Sequence, residues 1–314
     1  MTPLTSAQPL RGIALKVAST LVFTAMSTLI KLVSDRYPVG EIVFFRSSLA
    51  LIPVAAWVGW REFPFIFRTT RFPGHVVRSV AGSASMFCSF SALSLLPIAD
   101  ATAISYASPL LTVIFAVILL HEKVHAYRWS AVAVGLFGVL VILSDYFGPE
   151  AGAVSHADTL GAGLAIGGAV CAALAATQTR SLTRLEAAAT IVVYFSSLTA
   201  LFALATAPFG WKVPAGLDLL ALCGAGIFGG TGQVLLTQSY RFGDASVIAP
   251  FEYSSMLWTL VVSLVIFGTW PSAVVLIGAA IVIAAGLFII WRERQLGIER
   301  TRSRRAQTPP ATAV

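Results

Sequence analysis

Ten windows of predominantly apolar residues, at 11–33, 41–60, 76–97, 100–120, 127–146, 159–179, 187–209, 217–239, 245–267 and 272–291, take up most of this 314-residue chain. At 1.5 Å rise per residue, about twenty residues of helix cross the hydrocarbon of a bilayer. Inside hydrocarbon every backbone N–H and C=O needs an internal partner, which leaves only helices and closed β-barrels. The windows lack the apolar–polar alternation of barrel strands. The fold class expected is therefore an all-α polytopic membrane protein with ten transmembrane helices. Only 11% of residues are charged, against about 25% in soluble domains, and no stretch between windows is long enough for a soluble domain. The first window has full bilayer length and no small-residue cleavage site closes it, so it reads as a retained helix. Cys88, Cys171 and Cys223 fall inside spans and read as small packing residues.

The net charge is +7, and its distribution gives a topology. With the N-terminus in the cytoplasm and loops assigned alternately, Arg11, Arg61, Arg68, Arg71, Arg78, Lys123, Arg128, Arg180, Arg184, Arg241 and the tail arginines Arg292, Arg294, Arg300, Arg302, Arg304 and Arg305 fall inside. Only Lys31, Arg36 and Lys212 fall outside, the bias of a protein with both termini cytoplasmic. The tail "RERQLGIERTRSRR" reads as an anchor at the anionic leaflet, not a nucleic-acid arm, and the end of the chain as disordered.

Ten spans invite a search for a repeat of five. Gly12, Lys31 and Ser47-Ser48-Leu49 recur 149 positions later as Gly161, Arg180 and Ser196-Ser197-Leu198. "DATAI" at Asp100 answers "DASVI" at Asp244, and Gly82 answers Gly226, at an offset of 144. The expected units are a first five-helix repeat over 11–146, an inter-repeat loop over 147–158, a second repeat over 159–291 and a basic disordered tail over 292–314. An odd number of spans per repeat forces the second to enter from the opposite face. Two inverted repeats can alternate access to a midplane site, a property a carrier needs and an enzyme does not.

The repeat also acts as an internal control, since a scaffold residue should tend to recur. Arg46, in "EIVFFRSSLAL", has Phe195 as its counterpart, so the repeat does not demand it. It could snorkel to the interface, pair with Glu41 or Asp35, or face a central cavity and grip a substrate carboxylate, phosphate or carbonyl pair. Glu252, in "APFEYSSMLW" after Pro250, has Ser108 as its counterpart. It could bind a cationic group or carry a proton, or else serve as the partner of a buried cation such as Lys16. Tyr106, Tyr194, Phe195, Phe251, Tyr253 and Trp258 lie mid-span and suit either packing or a flat ring, while Trp57, Trp60, Trp129, Trp211, Trp270 and Trp291 suit interface belts. Gln178, Gln233 and Gln238 offer neutral hydrogen bonds, Asp100 and Asp244 read as helix caps, and Glu122 as an interfacial residue. The histidines show no HExxH pattern, and there is no P-loop and no nucleophile elbow. No catalytic residue, metal site or cofactor is expected.

"FFRSSLAL" in the second span, "SPLLTVIFAVILLHE" in the fourth and "APFEYSSMLWTLVVSLVIFGTWP" in the ninth resemble the drug/metabolite transporter superfamily, and more narrowly its EamA-domain members. The "PFxY…LW…FGxWP" stretch is similar to the subgroup of riboflavin and S-adenosylmethionine uptake carriers, a pattern shared with exporters. The resemblance implies a bacterial inner-membrane carrier in which Arg46, Tyr106, Phe251, Tyr253 and Trp258 line or border a central cavity. Where both repeats of the family often carry Gly-Glu, this chain reads His121-Glu122 and Gly268-Thr269, so a role for that second carboxylate does not carry over. The expected activity is alternating-access transport of a small polar metabolite, with riboflavin first, S-adenosylmethionine second, and an amino-acid, metabolite or drug exporter next. An intramembrane lipid-modifying enzyme is the remote alternative. Expected substrate-binding residues are Arg46, Tyr106, Tyr194, Gln233, Phe251, Glu252, Tyr253 and Trp258. The expected partners are a ring-bearing or zwitterionic solute and the lipid bilayer, with no nucleic acid and a homodimer left open.

Overall fold

A computed structural model describes residues 9–59, 66, 68–121, 124–147, 155–183, 185–239, 242 and 248–307. Among them the chain forms helices and their connections, with no strand. The first three spans are α1 (Pro9–Val33), α2 (Val39–Val58) and α3 (Phe72–Leu95). The fourth is broken into α4 (Ile98–Ser105) and α5 (Ala107–Leu120), and α6 (Ala126–Phe147) is the fifth. The sixth to eighth are α7 (His156–Leu182), α8 (Ala188–Leu204) and α9 (Gly216–Ser239). The ninth pairs a 3-10 segment, Ala249–Tyr253, with α10 (Ser254–Val265), and α11 (Ala273–Gln307) is the tenth. Eight spans have full bilayer length and the seventh and ninth are shorter, which together make the ten expected.

The breaks in the fourth and ninth spans have a local cause. Pro109 has no N–H to give the carbonyl of Ser105, and its ring crowds that carbonyl, so α4 ends at Ser105 and Tyr106 stands at the junction. The ninth span holds Pro250 in its 3-10 segment. Broken helices are tolerated at membrane depth only where protein or a cavity supports the freed backbone.

Polarity runs inside out. Leu21, Val134, Phe137, Leu140, Leu201, Leu257 and Leu264 stand exposed on outward faces, as a bilayer requires. On α1, Lys16, Thr20, Thr24 and Thr28 recur at four-residue spacing on one buried face. The hydroxyls of Thr24 and Thr28 donate to the carbonyls four residues back, at 3.0 and 2.8 Å, and so need no other partner.

The two repeats interlock. α1 packs on α9 and α7 on α3, and α2 packs on both α8 and α9. A Cβ added at Gly12 would lie 3.0 Å from the Ser239 carbonyl, and one at Gly161 would lie 2.9 Å from Leu95 Cβ. Those contacts are counterparts, since Ser239 follows Leu95 by the 144-residue offset. Gly82 likewise admits the Phe195 ring, while Gly226 admits Leu49 and the Phe45 carbonyl. α6 and α11 close at Gly138 and Gly278, each against the other's carbonyl.

Three expectations change. Asp100 lies in the first turn of α4 with Pro97 at the cap; its carboxylate accepts from the Tyr146 hydroxyl, because it is buried against α6. The basic tail continues α11 to Gln307, since it is rich in the helix formers Arg, Gln and Glu and meets no proline before Pro309. Arg78, counted as a loop charge, lies within α3. Asp244, Glu122, Trp60 and residues 148–154 of the inter-repeat loop lie outside the described residues.

Candidate functional site

The polar groups of the interior form two clusters at different depths along α1. In the first, the Lys16 ammonium donates to Glu252 Oε2 and forms an ion pair with it. Lys16 is only 1% exposed while the Glu252 side chain is 51% exposed. A buried lysine without an acid would be costly, so this pairing satisfies Lys16, while Glu252 still presents open surface. The structural alternative weighed for Glu252 is therefore realised without closing the carboxylate off.

The aromatic residues gather around that pair. Tyr106, at the junction of α4 and α5, is buried, its hydroxyl 2.6 Å from Ser255 Oγ. Its ring meets Tyr253 edge-on at 5.3 Å. Trp258 Nε1 donates to Thr20 Oγ1 at 3.3 Å, and that hydroxyl lies 2.8 Å from Ser254 Oγ. Phe251 is half-buried in the 3-10 segment, where its carbonyl accepts from Ser254 Oγ at 2.6 Å. The two helix breaks thus place Glu252 and Trp258 against α1, with Tyr106 and Tyr253 paired behind them, the Tyr253 hydroxyl turned toward Gly286 of α11.

The second cluster centres on arginine. Arg46 is 5% exposed, and its Nε has no hydrogen-bond partner among the described residues. Snorkelling is ruled out by that burial. No ion pair joins Arg46 to Glu41 among the described residues; the buried Glu41 carboxylate accepts the backbone N–H of Lys212 at 3.0 Å. Gly229 on α9 makes room for the guanidinium: a Cβ there would sit 3.0 Å from Arg46 Nε and 3.1 Å from Met26 Sδ. Gln233, one turn beyond Gly229 on α9, is half-buried along the same side.

Sequence reasoning missed the companion of Arg46. The Arg78 guanidinium lies over the Phe195 ring, 3.7 Å from its centroid, and its Nε donates to Thr179 Oγ1 at 3.3 Å. Arg46 is near enough for the two like charges to act on each other. The signal was present, since Arg78 falls two residues inside the apolar window 76–97. Tyr194 stands apart from the other aromatics, stacked on His75 at 4.4 Å and edge-on to Phe72 near the start of α3. Met26 lies ten residues along α1 from Lys16, about 15 Å at helical rise. Phe23, between them, packs on Gly232 of α9. No group of His, Cys, Asp and Glu that could hold a metal occurs among the described residues.

Comparison with known proteins gives a concordant picture. Residues 10–144 and 159–291 each match the EamA-like transporter family. The S-adenosylmethionine uptake transporter of Rickettsia prowazekii is 27% identical over 292 residues, covering 91% of this chain and 94% of the relative. That of Rickettsia felis is 28% identical with the same coverage. The Pseudopaline exporter CntI of Pseudomonas aeruginosa is 26% identical, covering 87% of this chain and 94% of the relative. A solved crystal structure superposes with a TM-score of 0.60 at 20% identity, covering 91% of this chain and 98% of that one, and so shares the fold.

Proposed function

The chain belongs to the EamA-like transporter family, and we propose that it takes up S-adenosylmethionine, or a closely similar sulfonium amino acid, across a bacterial inner membrane. The observation that carries this reading is the half-exposed Glu252 carboxylate set among Tyr106, Tyr253 and Trp258. A sulfonium or ammonium group finds there both an opposite charge and aromatic faces, and an adenine ring finds flat surfaces to stack on. The names of the Rickettsia relatives support the substrate and the direction.

Riboflavin, the first expectation from sequence, is withdrawn. None of the relatives named above carries riboflavin in its name. A flavin ring and polyol are also uncharged, so they would leave the buried arginines unmatched.

Alternating access by the two repeats fits the interlocked packing of α1 with α9 and α7 with α3. The arginine excess on one side supports both termini in the cytoplasm. The relatives are named as transporters, in keeping with a chain that moves its substrate unaltered. A second reading, export of an anionic metabolite, is favoured by the arginine cluster and by the exporter relative.

Radiolabelled S-adenosylmethionine uptake into bacteria expressing the chain tests the proposal. Saturable uptake, suppressed by excess unlabelled compound and absent from vector controls, is expected. Vector-level uptake with the protein present in the membrane would overturn it and leave export of an anion as the reading to pursue.

A further inference from the structure

We propose that the interior between α2, α3 and α8 is an oxyanion subsite, in which Arg46 and Arg78 together hold the carboxylate of the transported molecule. The assignment of that carboxylate to a sulfonium amino acid rests on the function proposed above. The subsite itself rests on the arrangement of the side chains.

Arg46 Nε, Arg78 Nη1, Ser79 Oγ and both ring nitrogens of His75 are buried with no hydrogen-bond partner among the described residues. His75 and Ser79 are fully buried, one turn apart on the helix that carries Arg78. Neither guanidinium has a carboxylate within salt-bridge range among the described residues. Buried donors left open are costly, more so when charged, and two like charges in low dielectric add repulsion. Water could occupy the donors, but water would not neutralise the pair. An anion does both, and a planar carboxylate can take two parallel N–H bonds from a guanidinium fork.

The surroundings hold these groups in place. Phe195 supports the face of the Arg78 guanidinium, Thr179 accepts from its Nε, and Gly82 leaves space for both, since a Cβ there would lie 2.6 Å from Phe195 and 3.1 Å from Arg78 Nη1. Gly229 does the same for Arg46. The scaffold does not require either charge, because the other repeat carries Phe195 and Leu222 at the matching positions.

Competition against labelled S-adenosylmethionine, on the full chain in lipid nanodiscs, reads the contact with decarboxylated S-adenosylmethionine as the matched ligand. The wild-type protein should bind the decarboxylated ligand at least about tenfold more weakly, as expected where a buried group is built to meet the missing one. Arg46→Gln and Arg78→Gln should each bring that gap to about threefold or less, by losing affinity for the intact ligand only. Arg46→Lys and Arg78→Lys keep the charge and lose the fork, should retain part of the gap, and serve where a glutamine form fails to insert. Equal affinities in the wild type, or a gap untouched in the variants, overturns the subsite. Sodium acetate should compete with S-adenosylmethionine; tighter binding on adding acetate would place a free anion there and count against the proposal. If the wild type binds neither nucleoside, the substrate reading falls alone. The subsite is then decided by whether acetate raises the melting temperature of the wild type, and whether both arginine variants lose that rise; no rise in the wild type overturns it.

Discussion

The two repeats share their small residues and differ in the charges of the two interior polar clusters. Gly12 and Gly161 seat matching helix ends, and Gly82 and Gly226 admit a side chain from the helix that crosses them. Arg46 and Arg78, by contrast, answer to Phe195 and Leu222, while Lys16 and Glu252 answer to Ala165 and Ser108. Close packing of crossed helices depends on backbone approach, so it constrains both copies alike. The ligand site proposed above is shared by the two copies, which frees each to specialise. The cross-repeat contacts show this division directly: Phe195, the counterpart of Arg46, forms the face under Arg78.

The comparison breaks most severely if the arginines belong to the scaffold. Arg46→Ala is expected to reduce S-adenosylmethionine uptake by about 30-fold or more, the cost of truncating one partner of a buried charged contact. The melting temperature of the purified variant should hold or rise, because an unmatched buried charge has been removed. Normal uptake kinetics with a lowered melting temperature would return Arg46 to a structural role.

The ion pair should behave in the opposite way. Glu252→Gln removes the acid paired with the buried Lys16 ammonium, which should destabilise the protein by about 1–3 kcal/mol. Adding Lys16→Met should restore most of that loss in thermal unfolding without restoring uptake. A double variant no more stable than the single one would mean that the pair is not what holds α1 to the ninth span.

Smaller changes sharpen the contrast. Gly226→Ala would force a Cβ to within 2.7 Å of the Phe45 carbonyl and 2.5 Å of Leu49 Cβ. Overpacking of this kind costs about 1–3 kcal/mol and should lower the melting temperature. Phe195→Leu removes the aromatic face under Arg78 while preserving apolar bulk, a loss of about 0.5–2 kcal/mol. Its readout is a modest rise in the KM for uptake with membrane expression unchanged; an unaltered KM would show that the ring only packs.

Much of this plan was legible in the amino-acid sequence. The ten apolar windows reappear as ten spans, and Pro109 and Pro250 mark the two broken ones. Arg46 and Glu252 stood out because a charge in hydrocarbon is rare enough to question residue by residue. Arg78 escaped because it sits near a span end, where positive charge is ordinary. Span position alone groups Tyr194 with the other aromatics, whereas its ring is turned toward His75. Span position gives depth in the membrane but not the direction in which a side chain points.

The sequence by itself determined the class of structure and its repeated plan. Hydrocarbon thickness and the absence of water leave an apolar chain of this pattern little choice but bilayer-length helices, and an odd number per repeat inverts the second copy. Tertiary structure decided which charges meet. Lys16 finds Glu252 across 236 residues of chain, and Arg46 comes near Arg78 from a neighbouring helix. Those meetings are set by where glycines let helices approach and where prolines break them, and neither is written in the period of any one helix.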